Sequence, residues 1–295
     1  MIPTPSRFHF WRTVYSHGWC ALEPFRVNRD ARTLERVCTL SDGSNTLVTI
    51  RASRNDSGID VASLTRLSRR QAKEIETQMR AMLRLDEDLA PFYRHVSRYA
   101  RYRWIPRLGV GRLLRAPTVF EDVVKMLCTT NCSWDLTTSM VTNLTNMLGE
   151  PLDGRRAFPT PEAIAGVSES FLRKHIRAGY RSPYLLEFAR RVASGSLTVE
   201  AWRTADLPTD ELYAQVRSVK GAGEYAAGNI LRLLGRYDYL ALDSWVRGKY
   251  SELYHGGRRV SDTTIARRYR EHGRWQGLIL WLEMTRDWFS EKFPF

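Results

Sequence analysis

Asp243 combines a residue type and a position that suit chemistry. It follows the apolar run Leu240-Ala241-Leu242, opens the helix-forming stretch Ser244-Trp245-Val246-Arg247, and lies twenty residues beyond Gly223. A carboxylate in such a place is often only an N-cap. Held in a cleft, it can instead stabilise a cation-like transition state or orient a water. The second chemical feature is Lys220-Gly221-Ala222-Gly223, which joins two helix-like stretches within 212–235. Two glycines this close permit a sharp turn with positive φ. The amides they expose would sit at a helix N-terminus, where donors and dipole favour a phosphate oxygen. Ala226, Ala227 and Gly228 are small enough to let the second helix pack closely on the first. By itself the turn reads equally as a plain connector between helices.

Charge points the same way as the turn. Forty-five Lys and Arg against 32 Asp and Glu leave +13, a field that attracts polyanions, with nucleic acid the first candidate and an anionic membrane surface the second. Residues 89–120 hold no acid and seven arginines (94, 98, 101, 103, 107, 112 and 115), interleaved with Tyr93, Tyr99, Tyr102 and Trp104. That stretch is either a solvated face or a phosphate-contacting one. The four cysteines are too few and too irregular for a disulfide framework, and Cys128-x-x-x-Cys132 lacks the further Cys or nearby His that would complete a metal site. No run approaches the ~18 apolar residues of a membrane span, and Met1–Arg7 lacks the pattern of a signal peptide. The expectation is an intracellular protein, cytoplasmic and nucleoid-associated if bacterial.

The elements that must position these residues are mixed, with strands first and helices after. The first ~65 residues read as strands, and Val37–Leu40 and Thr46–Ile50 flank the turn-rich Ser41–Asn45 as an antiparallel hairpin. From Ser68 the period turns helical, with Ile75, Met79, Met82 and Leu83 on one face of 71–85. Phe120, Val123, Val124 and Leu127 mark a helix over 117–129, with Thr118 and Glu121 as a capping box. Further helices are predicted over 134–148, 168–176, 183–193, 209–218, 224–235, 244–252 and 274–288. Two domains follow: an antiparallel β domain with its following helix over 1–100, and a helical core over 101–295.

The hairpin and the aspartate twenty residues on resemble the signature of the helix-hairpin-helix DNA glycosylases (the HhH-GPD superfamily). The resemblance implies an α+β fold, a two-lobed helical core preceded by a small β-rich domain. It also implies that Lys220 to Gly223 hold the DNA backbone, with a monovalent cation at the hairpin, and that Asp243 serves catalysis. Within the family the likeness leans towards the 8-oxoguanine DNA glycosylases through Gly109–Arg115, Cys128-Thr129-Thr130-Asn131 and Ala178-Gly179-Tyr180-Arg181. It implies that Tyr180 wedges into the base stack and that Asn131 and Arg181 address the base left without a partner. Damaged double-stranded DNA is the implied partner, met by a monomer.

Departures from the family pattern set the remaining expectations. Where strand-nicking members carry a Schiff-base lysine this chain has Tyr225, so it is similar to the monofunctional members, including the bacterial 3-methyladenine glycosylase II type. The pocket positions align with Gly277 and Trp281, Trp245 replaces a histidine, and Leu136 replaces an arginine. Trp134, Tyr225, Trp245 and Trp281 would form an aromatic box suited to an electron-poor alkylated purine, or else belong to the core. The terminal Glu291–Phe295 carries no four-cysteine run, so no iron–sulfur cluster is expected. An 8-oxoguanine-type glycosylase with lyase activity and a non-catalytic DNA-binding module stand as the alternatives.

Overall fold

The computed structural model describes residues 1–54 and 57–289, so Glu291–Phe295 lies outside the described residues. The chain begins with β1 (Ile2–Pro3) and then a short helix, α1 (Phe10–Val14). After a 3-10 turn over Gly18–Ala21 come β2 (Arg26–Asn28), β3 (Thr33–Thr39), β4 (Asn45–Ala52) and β5 (Gly58–Ser63). The five strands form one antiparallel sheet in the order β1-β5-β4-β3-β2. The hairpin closes in the register Thr39 to Asn45 and Val37 to Leu47, and Thr46, Val48 and Ile50 bury the inner face of β4 by strict alternation. The expectation of strands over the whole first stretch fails at Phe10–Val14. There Phe10, Thr13 and Val14 fall on one buried helical face under an N-cap from His9.

Helices make the rest. α2 (Arg69–Leu83) starts on a full Ser68–Gln71 capping box and buries Ile75, Met79, Met82 and Leu83. α3 (Ala90–Ser97) and α4 (Trp104–Leu108) precede α5 (Val119–Thr129) and α6 (Trp134–Leu148). A two-stranded ribbon of β6 (Pro151–Leu152) and β7 (Arg155–Arg156) leads to α7 (Pro161–Ala165) and α8 (Glu169–Phe171), which a π-helical turn continues to Ile176. The last six are α9 (Ser182–Ala193), α10 (Thr209–Arg217), α11 (Glu224–Leu234), α12 (Ser244–His255), α13 (Asp262–Tyr269) and α14 (Gln276–Met284). Helices α3, α4, α7 and α13 were not predicted, and α14 is shorter than the expected 274–288, with 3-10 turns over Arg270–Trp275 and Arg286–Phe289 on either side of it. Among the described residues no helix is long and apolar enough to cross a membrane.

Two apolar cores hold these elements. The first runs unbroken from the sheet and α2 through α5, α6 and α9 to α11. The second joins Leu89, Phe92, Val96, Trp104 and Ile105 to the helices of residues 246–284. A boundary at residue 100 therefore passes through the second core, since 89–110 packs with the C-terminal helices and the sheet packs with the middle ones. A buried ion triad ties sheet to helix: Glu121 of α5 takes Arg36 of β3 at 3.0 Å and Lys125 at 2.7 Å, all three at most 3% exposed. The Thr118 N-cap forms, accepting from the Glu121 amide at 3.2 Å. The reciprocal half of that predicted capping box is missing because the Glu121 carboxylate is committed to the triad.

The acid-free stretch also differs from expectation. Arg112 donates to the Arg84 carbonyl, and Arg115 to the Ala81 and Leu233 carbonyls at 2.7 and 3.0 Å, so both are internal fasteners. Arg101 pairs with Glu271 at 2.8 Å. Arg94, Arg98, Arg103 and Arg107 remain exposed.

Candidate active site

A cavity of about 1140 Å³ lies where α5, α6, α11, α12 and α14 meet the segment after α1. Asp243 lines it, and so do Asn131, Tyr180, Gly221 and Gly223, as well as all four residues of the predicted aromatic box, Trp134, Tyr225, Trp245 and Trp281. The fold thus gathers residues spread over more than 150 positions into one space.

Asp243 is the N-cap of α12. Its Oδ1 accepts the Val246 amide at 2.7 Å, a bond made possible by the extended backbone at Asp243 (φ −123, ψ −177). Burial pushes its pKa above the ordinary aspartate value, opposed by the Val246 bond and by the Arg232 and Arg247 charges. Capping and cavity lining therefore fall on one carboxylate.

Arg232 escaped the sequence reading. It is buried on α11, where it donates to Asn229 Oδ1 at 2.7 Å and to the Leu240 carbonyl at 2.8 Å, with its guanidinium 5.3 Å from the Trp281 ring centre. Burial draws it down to about 10, so it stays charged at neutral pH. A signal existed: Tyr225, Asn229 and Arg232 fall at i, i+4 and i+7, a polar stripe on an otherwise apolar helix. Tyr225 is pushed up to about 12 by burial and by the Asp243 charge, and its phenol stays protonated.

The aromatic wall has a firm and a loose part. Trp281 donates its indole N–H to the Ser16 carbonyl at 2.9 Å. Trp245 is 41% exposed and lies 5.9 Å from Trp281 and 5.5 Å from Trp288, the last an addition to the predicted box. Trp134 lies across Gly18 so closely that a Cβ there would fall 2.3 Å from its ring. Gly277 does not line the cavity. Its Cα faces the Tyr239 carbonyl, 2.1 Å from where a Cβ would stand, and neighbouring Gln276 donates to the Asp238 carbonyl.

The hairpin differs from its sequence reading in detail. Only Gly221 has a positive φ, +88, whereas Gly223 is an extended N-cap at φ −65. The amides of Ala222 and Gly223 bond inward to the Val219 and Gly221 carbonyls, both at 3.0 Å. Among the described residues the amides of Lys220, Gly221, Glu224, Tyr225 and Ala226 have no backbone acceptor, and the last three open α11 at the cavity. Gly228 packs on Ala241 rather than on α10, with 2.8 Å from a would-be Cβ to that methyl. Lys220 is exposed and pairs with Glu187 at 2.7 Å. The carbonyls of Val219, Gly221, Ala222 and Gly223 each already accept a hydrogen bond, Ala222 from the Arg217 guanidinium at 3.3 Å. Each of these carbonyls keeps a second lone pair, so they are the groups that would hold a monovalent cation at the hairpin. Among the described residues no cluster of His, Cys, Asp or Glu is arranged for a metal. Cys128 is buried, with its thiol pushed up to about 12 by that burial, and the Cys132 thiol lies 3.1 Å from the Cys128 carbonyl.

The loops that carry Asn131 and Tyr180 meet at Thr130. Tyr180, 45% exposed, donates to the Thr130 carbonyl at 3.2 Å, and Asn131 is exposed in a left-handed conformation at φ +45. Arg181 departs from expectation: it is 4% exposed, donates to the Thr130 carbonyl and hydroxyl, and stacks under the Tyr180 ring. Its Nε and Nη2 are committed to Thr130, which ties the guanidinium to this loop.

No protein-family model and no curated protein sequence matches the chain. Solved structures do match. A 3-methyladenine DNA glycosylase from Archaeoglobus fulgidus superposes with a TM-score of 0.77 at 20% identity, covering 98% of this chain and 99% of that one. The apo form of an 8-oxoguanine glycosylase/lyase from Clostridium acetobutylicum gives 0.71 at 17% identity, covering 94% and 93%. The 3-methyladenine DNA glycosylase Mag1 of Schizosaccharomyces pombe, solved with abasic DNA, gives 0.53 at 18% identity and covers 67% of this chain and 97% of that one. The chain has the fold of the helix-hairpin-helix DNA glycosylases.

Proposed function

We propose that this protein is a monofunctional DNA glycosylase that extrudes a damaged purine from duplex DNA into the cavity and hydrolyses its glycosidic bond. One observation carries the reading: a part-buried carboxylate, Asp243, lines an aromatic-walled cavity roomy enough to admit a base, beside the open amides of a helix hairpin. The hairpin end of α11 takes a phosphate oxygen on its free amides and dipole. The exposed Tyr180 ring fills the gap left by the extruded nucleotide, and Asn131 stands on the same rim. Unstacking costs a few kcal/mol, least for a damaged or mispaired base.

As the bond breaks, positive charge develops on the deoxyribose and the base leaves with the bonding electron pair. The Asp243 carboxylate stabilises that charge more than it does the neutral ground state. It also accepts the proton of the water that adds at C1′ and gives it up to solvent, or to a base that has left as an anion, so that the products are an intact abasic strand and a free base. Tyr225 occupies the place of an amine nucleophile and cannot form an imine. The cavity does contain one lysine among the described residues, Lys249, but its ammonium is held by Asp287 at 3.0 Å. The tryptophan rings supply stacking for an electron-poor alkylated purine.

The test is a base-release assay with the purified protein on duplexes carrying single alkylated, oxidised or deaminated purines. Release of one or more bases, with strands that break only on later alkali treatment, supports the reading. DNA binding without release from any duplex would assign the chain to the non-catalytic hairpin proteins.

A further inference from the structure

His17 reaches the cavity from the N-terminal lobe and has no part in the reaction just described. Its Nε2 bonds to the Leu114 carbonyl oxygen. A carbonyl only accepts, so Nε2 holds the ring proton and Nδ1 is left as a bare acceptor. Burial pushes this imidazole down to about 3, with the Leu114 bond opposing, so the ring is neutral at any working pH. Nδ1 makes no hydrogen bond among the described residues, and His17, 8% exposed, lines the cavity.

The surrounding segment is fixed at several points. Ser16 accepts the Leu114 amide on its hydroxyl and the Trp281 indole on its carbonyl, both at 2.9 Å. Trp19 donates to buried Asp122 at 2.8 Å and meets the His17 ring edge-on at 4.9 Å. Trp134 covers Gly18. The imidazole can therefore neither rotate away nor exchange its two nitrogens without breaking the Leu114 bond. A fixed acceptor in a desolvated wall favours a ligand that offers it a proton and penalises one that leaves it unpaired.

Resting on the base-excision reading, we propose that His17 Nδ1 reads an N–H donor on the extruded base. The cavity then admits damaged purines that keep such a donor, such as 3-methyladenine or hypoxanthine, and rejects those that have lost every one. The discriminating substrate is 1,N6-ethenoadenine, an alkylated purine of similar size and aromatic surface with no N–H at all.

Single-turnover base release is compared for the wild type, His17→Leu and His17→Asn, on duplexes carrying each of these bases. The expected wild-type rate on ethenoadenine is about 10- to 100-fold below that on the best donor-bearing base. His17→Leu removes the acceptor and brings the ratio to within about threefold, whereas the Asn amide oxygen stands near the Nδ1 position and keeps it. Because both substrates see the same preparation, the ratio is insensitive to how much of a variant is folded. Should His17→Leu not fold, the wild-type ratio and the Asn variant still decide. Ethenoadenine released as fast as the best donor-bearing base, or a ratio untouched by His17→Leu, overturns the role of His17 and leaves the glycosylase reading standing. Absence of release from every duplex overturns the glycosylase reading itself, so the two failures are distinct.

Discussion

Asp243 Oδ1 and the Val246 amide, 2.7 Å apart, set the carboxylate at the head of α12 and at the cavity wall in a single interaction. The cap and the proposed catalytic charge are separable by substitution. Asp243→Asn keeps an oxygen for the cap and removes the charge, while Asp243→Ala removes both.

Asp243→Asn is expected to lower base release by about a hundredfold or more and to leave DNA affinity nearly unchanged. Because burial disfavours the charged form, the Asn variant should be at least as stable as the wild type at pH 7. Asp243→Ala should lose the same activity and about 1 kcal/mol of stability with the cap. Denaturant titration alongside release assays checks both. Release by the Asn variant within a few-fold of wild type removes Asp243 from catalysis.

The pH dependence follows from the same burial. The carboxylate is the active form, and its pKa lies above the ordinary 3.8. Release should therefore fall as pH drops through a value above 3.8, with the acidic limb gone in Asp243→Asn. The stability effect has the opposite sign: protonating a carboxyl whose folded pKa is raised favours the folded state, so Asp243 costs stability above that pKa and stops doing so below it. A log(kcat/KM) profile between pH 4 and 8 checks the limb.

Fold class and the gathering of the candidate site around Asp243 were legible because they rest on local pattern. The Thr39–Asn45 hairpin, the buried stripe of α2, the hairpin of α10 and α11, and the cap at Asp243 each follow from residues close in sequence. What was not legible depends on long-range contact. Nothing near Gly221 and Gly223 shows which one takes the positive φ, because that is decided by Tyr184 and Leu127 packing beneath Gly221. Arg112, Arg115 and Arg181 look like phosphate or base contacts by type, and only the fold shows carbonyls waiting for them inside. His17 and Asp243 are 226 positions apart and share a cavity through tertiary packing alone.

The two hairpin glycines should respond differently. Gly221→Ala sets a Cβ 2.7 Å from Tyr184 Cδ2 at a φ of +88, and should destabilise the fold by about 1 kcal/mol or more and weaken DNA binding with it. Gly223→Ala has an ordinary φ, and the nearest atom to its Cβ is Arg217 Nη1 at 3.8 Å, so the protein should keep its stability. Loss of DNA affinity in the stable Gly223→Ala variant would report directly on backbone approach to the α11 amides. Thermal melts paired with binding isotherms at two salt concentrations separate the cases.

Tyr225 predicts the form of the product. The abasic strand should remain intact, and borohydride should trap no covalent complex. Lys249 is the amine nearest the chemistry by cavity position, and breaking its pair in Asp287→Asn is expected to raise trapping from none to a trace at most. Efficient trapping by the wild type would place the chain with the strand-nicking glycosylases.

The hydrogen bond from the Trp281 indole to the Ser16 carbonyl spans 265 positions, so two stretches distant in sequence are fastened together in one part of the cavity wall. Trp281→Phe would remove the indole N–H and keep an aromatic ring, so it would loosen the 16–19 segment while leaving the Asp243 cap and the hairpin turn untouched.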